Sequence, residues 1–246
     1  LLPGARGAGT VATARKGWAA PVWPAESGHW RRPMMAASPR MRNALTLFSS
    51  DDDVLCHRVR LVLAAKGVTY DLIPVDPEDP PEDLIDLNPY HSVPTLVERD
   101  MVLYAASVVC EYLDERYPHP PLMPVEPLAR ARLRLATLRL EHDWVPQIQM
   151  VQRGTKREAD AARKILQDYV TASVPLFKAH KFYLNSEMSL ADCAMAPIIW
   201  RLPSLGISLP KDGKAIQDYG SRIFRSPGFA RSLTAAERKL NDLPAG

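Results

Sequence analysis

Cysteine is scarce in this sequence and scattered where it occurs: Cys56, Cys110 and Cys193 are the three thiols of 246 residues. An odd, widely spaced set suits neither a disulfide framework nor a zinc site, and a reducing compartment is the simpler setting. Long apolar runs are missing as well. None approaches the ~20 residues needed to cross a bilayer, and residues 1–40 lack the continuous apolar core of a secretory signal, so no membrane partner is expected and a cytoplasmic location is. There is no glycine-rich phosphate loop. His29, His57, His91, His119, His142 and His180 show no H-x-x-x-H or carboxylate spacing, so neither a metal nor a cofactor is expected. Nothing points to a Ser-His-Asp arrangement.

The basic excess is unevenly spread. Arg6, Arg15, Lys16, Arg31, Arg32 and Arg40 stand in residues 1–40 against Glu26 alone, which exceeds the whole net charge of +3 and leaves the remainder slightly acidic. A body so close to neutral makes no case for direct nucleic-acid contact. Residues 1–43 are rich in Gly, Ala, Pro and Arg without a periodic apolar face, and disorder is expected. They read either as a functional basic arm or as sequence upstream of the natural start, with Met34, Met35 or Met41 as initiators. The second is favoured, because folded-looking sequence begins near Ala44.

What remains is ordinary globular sequence, 46% hydrophobic and 24% charged. Ala44 to Phe48 reads as a buried strand, and Cys56 to Lys66 as a helix that Gly67 stops. Thr69 to Val75 is a second strand. Asp83 to Tyr104 gives a short helix, a turn, a strand Thr95 to Glu98 opened by Pro94, a reversal at Arg99-Asp100 and a strand Met101 to Tyr104. A helix Ala106 to Tyr117 follows. The β-α-β-α-β-β-α order predicts an α/β thioredoxin-like domain over 44–117. Residues 118–127 hold five prolines in ten residues, so no helix forms there and a stiff connector or surface loop results. Over 128–246 every element looks helical: Leu128 to Val151, Glu158 to Phe177, Leu190 to Leu202, Ala215 to Phe224 and Thr234 to Leu240. Ser189 and Asp192 are spaced as a reciprocal helix cap, and catalytic duty for Asp192 is the alternative.

A helix ending in NP, then SVPTL, a hairpin and a helix resembles the thioredoxin-like domain of the glutathione transferase superfamily, and the helical remainder completes the glutathione S-transferase fold. The resemblance implies that Val93-Pro94 is cis and that Val93 meets glutathione through its backbone. The strings DLIDLNP, SVPTL, EYLDERYPHPPLMPVEPLAR, EADAARK, SLADCAMAP and IIWRLPSLGI are similar to one branch, the stringent starvation protein A family. That narrower resemblance covers about residues 44 to 240. It implies a homodimer without transferase activity that associates with RNA polymerase holoenzyme under starvation or stress, with Pro118, His119 and Pro120 as the contact.

Matched to the transferase pattern, the position of the catalytic Ser or Cys holds Asp53, which cannot form a mixed disulfide and raises the pKa of a nearby thiol. Cys56 stands at a position usually packed inside a helix. Where many such enzymes carry Glu-Ser to hold the γ-glutamyl end of glutathione, this chain has Ala105 and Ala106, whose side chains anchor nothing charged. Asp53, Val93, Pro94, Ala105 and Ala106 are therefore expected to be vestigial glutathione-site positions. Two other readings stay open: a working glutathione-dependent transferase or thiol reductase, and a small-ligand sensor in the vacated cleft. Alone, Pro118 could simply end a helix and leave His119 idle. The series Arg130, Arg132, Arg134 and Arg139 could face an acidic partner or be a solvated helix face.

Overall fold

The computed structural model describes residues 45–241, so the segment expected to be disordered, 1–43, lies outside the described residues. The described chain opens with β1 (Thr46–Ser49), α1 (Val54–Lys66), β2 (Asp71–Pro74), α2 (Glu82–Leu87), β3 (Thr95–Glu98), β4 (Met101–Tyr104) and α3 (Ala106–Arg116). The four strands form one mixed sheet in the order β2-β1-β3-β4, with β1 parallel to β2 and antiparallel to β3, and β3 antiparallel to β4. β1 is buried along its whole length, as a central strand covered on both faces must be. Successive residues then face opposite layers. Leu47 and Leu96 join the core made by α1 and α3, while Phe48 and Val97 pack with Val75, Leu84 and Leu87 on the α2 side.

Pro94 precedes β3 and its bond to Val93 is cis. Asn88 locks the turn before it: its Nδ2 donates to the Ser92 carbonyl at 3.0 Å and to Thr95 Oγ1 at 2.8 Å. α1 ends on Gly67, whose φ of 66° is the left-handed conformation that a residue without Cβ adopts at little cost.

The rest is helical: α4 (Pro127–Arg139), α5 (Val145–Arg153), α6 (Lys156–Ala179), α7 (Leu190–Arg201), α8 (Lys214–Phe224), α9 (Pro227–Ser232) and α10 (Ala235–Lys239). Glu126 caps α4 by accepting the N–H groups of Leu128 and Ala129 at 2.9 and 2.6 Å. The single helix expected from Leu128 to Val151 is divided by a π-helical turn, Leu140–Trp144. Pro146 is the physical reason: it has no N–H to give and its ring crowds the carbonyl four residues back, so the ladder widens ahead of it. Leu140 and Trp144 both remain buried. α9 was not anticipated; Ser226 caps it by accepting the Phe229 N–H at 3.2 Å. α7 is buried from Leu190 through Ile199 and packs against α1, α4 and α8. One hydrophobic cluster runs from the sheet to α7 and α8.

Candidate functional site

The loop between β1 and α1 is where the transferase resemblance puts catalysis. Asp53 is the N-cap of α1, and its Oδ1 accepts the Cys56 N–H at 2.8 Å. That carboxylate is already used to satisfy the helix end. The Cys56 thiol is fully buried, and its Sγ accepts the Ser50 N–H at 3.3 Å. Burial, and then the Asp53 charge, push this thiol far above its ordinary value, so it is a thiol and not a thiolate. Cys110 and Cys193 are buried as well, and desolvation raises both.

Val93 is half-buried beside buried Pro94. Across the hairpin, Ala105 begins α3 at φ 68°, ψ 117° with no side-chain cap, and Ala106 is buried. The cis peptide, the exposed Ala105 and the capping Asp53 are thus the features these positions present, with no charged side chain at the two alanines.

Beneath the loop lies a charge network that sequence reasoning missed. Arg60 donates from Nη1 to Ser49 Oγ at 2.5 Å and to the Ser50 carbonyl at 3.1 Å. Arg201 donates from Nη2 to the Asp52 carbonyl at 3.0 Å, and Thr234 Oγ1 donates to the Asp51 carbonyl at 2.6 Å. Both guanidiniums converge on Glu237 Oε1, from Arg60 Nη2 at 2.6 Å and from Arg201 Nη2. Glu237 is 0% exposed, Arg60 2% and Arg201 1%. His57 Nδ1 lies 3.5 Å from the same oxygen, yet the ring is neutral. Arg201 Nη1, which can only donate, sits 2.9 Å from Nδ1, and Nε2–H then donates to Ser232 Oγ at 3.0 Å. Burial, followed by Arg201 and Arg60, holds its pKa well below the ordinary histidine value. Residues 49–53 are therefore fixed from below by α1, α7 and α10. The partners from Arg201 and Thr234 lie 149 and 183 positions away in sequence, which no local pattern could signal.

The second feature is the proline-rich loop. Pro118, His119 and Pro120 are all exposed, and the His119-Pro120 bond is cis. The loop is more than a spacer, because Leu122 and Met123 are buried in the core. The Leu122 carbonyl accepts the Leu190 N–H at 2.8 Å, tying it to the start of α7. There the Asp192 carboxylate reaches back to the Ser189 N–H at 2.8 Å and accepts the Tyr183 N–H at 2.7 Å, a reciprocal cap that occupies both oxygens. Burial pushes Asp192 up to about 6.

Of the arginine series, Arg134 forms a two-pronged pair with Glu111 at 2.8 and 2.7 Å, Arg139 meets Asp143 and Arg130 lies 3.8 Å from Glu115. Three of the four therefore face acids of their own chain. Among the described residues no cluster of His, Cys, Asp or Glu has metal-binding geometry, and no helix is long and apolar enough to cross a membrane.

The family models for the glutathione S-transferase N-terminal and C-terminal domains match residues 54–116 and 129–227. A stringent starvation protein A homolog of Pasteurella multocida is 45% identical over 210 residues, 85% of this chain and 99% of that protein. The chain belongs to the stringent starvation protein A family. The homolog from Haemophilus influenzae is 44% identical over an equal span, again 85% of this chain and 99% of the relative. Among solved structures, rice GST1 in complex with glutathione aligns with a TM-score of 0.72 at 19% identity, covering 81% of this chain and 95% of that one. A delta-class glutathione transferase of Nilaparvata lugens gives 0.72 at 21%, covering 80% and 96%. These two likenesses concern the glutathione S-transferase fold. The stringent starvation protein A homologs share far more of the sequence, 45% and 44% against 19% and 21%.

Proposed function

We propose that this protein is a non-enzymatic, homodimeric transcription regulator that binds RNA polymerase holoenzyme under starvation or stress. In this reading the contact is Pro118, His119 and Pro120, and Asp53, Val93, Pro94, Ala105 and Ala106 are remnants of a glutathione site. The observation that carries it is the exposed Pro-His-Pro loop on a chain of the stringent starvation protein A family. Prolines on both sides of His119 limit its freedom before binding, which lowers the entropy lost when a partner docks.

The cleft supports the non-enzymatic half of the reading. A glutathione carboxylate or ammonium finds no charged side chain at Ala105 or Ala106, and backbone bonds from Val93 alone contribute about 1 kcal/mol each. The buried Cys56 thiol is both protonated and out of reach. For the homodimer, α4 offers Leu128, Leu135 and Leu138, all exposed. Leu135 and Leu138 line a cavity of about 420 Å³ together with Ser107, Glu111, Leu133 and Arg134. A second copy of the chain is the occupant this reading gives that surface.

A pull-down of purified holoenzyme, run beside a glutathione resin, tests both halves. Retention by polymerase and not by the resin is expected. Turnover of a glutathione substrate, or retention by the resin alone, would favour the transferase reading.

A further inference from the structure

One ion pair links the ends of two helices to the surface loop. Lys66 is the last residue of α1, and its side chain is 0% exposed. Its Nζ donates to Asp114 Oδ1, in the last turn of α3, at 2.6 Å and to the Pro120 carbonyl at 2.5 Å. The same Oδ1 accepts the Leu122 N–H at 2.8 Å. The pair therefore grips the backbone on both sides of Pro121.

The loop has little means of holding itself. Pro118, His119, Pro120 and Pro121 possess a single N–H among them, that of His119, so no helix or ladder can form. A buried ion pair is also an inefficient source of stability, because desolvation offsets most of the attraction. What it supplies here is geometry: two bonds from Nζ and one shared carboxylate oxygen, Asp114 Oδ1, fix where the chain turns.

We propose that Lys66 and Asp114 are positioning residues for the Pro118-His119-Pro120 surface. They set the loop in the shape its partner meets and do not touch the partner. The inference rests on the reading of that loop as the polymerase contact.

The test is the double substitution K66M/D114N, which removes both charges together and leaves neither buried alone. Three quantities are measured: cooperative unfolding, hydrogen exchange of the Leu122 amide, and the dissociation constant for holoenzyme. Unfolding stays cooperative, Leu122 exchange accelerates by about tenfold or more, and affinity falls by about tenfold as the loop must be ordered on binding. Because the pair acts through the loop, H119A costs less in the double variant than it does in the unsubstituted chain. Unchanged affinity overturns the proposal, as does lower affinity with unchanged Leu122 exchange, or full additivity with H119A. If the double variant fails to fold, K66R carries the same readouts, since it keeps a cation beside Asp114 and replaces the point donor that reaches the Pro120 carbonyl with a planar fork of different length. If the unsubstituted chain does not bind holoenzyme, the polymerase reading fails, and Leu122 exchange decides whether the pair fixes the loop.

Discussion

Glu237 is the single side chain whose loss should hurt this fold most. It is fully buried, and one of its oxygens serves Arg60 and Arg201 together, while Oε2 accepts the Thr234 N–H at 3.0 Å. In E237Q the shape is kept and the charge removed, which leaves two guanidiniums buried without a counter-ion. Breaking a buried pair from one side costs about 3–5 kcal/mol. Total stability of a domain is only about 5–15 kcal/mol. For a chain of this size each kcal/mol moves Tm by about 2–4 °C, so a drop of roughly 6–20 °C is expected. Circular dichroism melts and urea titrations of E237Q measure it, with E187Q, at an exposed position, as a control that stays within about 0.5 kcal/mol. A difference between E237Q and the unsubstituted chain of under about 1 kcal/mol would refute the reasoning, because the arginines would then be solvated or otherwise paired.

Other outcomes follow from the same geometry. His57 has a folded pKa below its unfolded value, so the stability it supports is complete above the unfolded pKa of about 6.5 and is lost as pH falls. Asp192 runs the other way: its folded value of about 6 exceeds the ordinary 3.8, so its contribution is complete below the ordinary value and declines as pH rises through 6. The two slopes oppose each other across that window, and D192N should make stability fall more steeply on acidification; an unchanged urea midpoint profile counts against the assignment. All three thiols are buried, so alkylation of native protein should be slow at each and complete in denaturant, and one fast-reacting native thiol would contradict the account of Cys56. Ala105 sits at φ 68°, a conformation that costs a side chain about 1–3 kcal/mol. A105G should therefore raise stability by about 1 kcal/mol after the chain-entropy loss, measured by urea unfolding.

The local elements were legible because their signals are local. Pro94 at a strand start and Arg99-Asp100 at a reversal define β3 and β4 at Thr95–Glu98 and Met101–Tyr104. Asp53, read from the sequence as a lost catalytic position, is the N-cap of α1, which starts at Val54, two residues before the expected Cys56. Pro227-Gly228 looks like a turn, and its neighbour Phe229 is buried as part of α9. The network of His57, Arg60, Arg201 and Glu237 was invisible, since each residue alone resembles a surface charge and only the tertiary fold brings α1, α7 and α10 together. The anchors of the proline-rich loop were hidden likewise: Lys66 and Asp114 are separated by 48 positions, and neither breaks the pattern of its own helix.

The central claim is that recognition has moved from the cleft to the loop. Affinity for RNA polymerase holoenzyme, measured for the unsubstituted chain and for the variant with Pro118, His119 and Pro120 all replaced by Ala, tests it most directly. The account predicts binding that the triple replacement abolishes while the melting curve stays put. Equal binding by both proteins, or by neither, would contradict it.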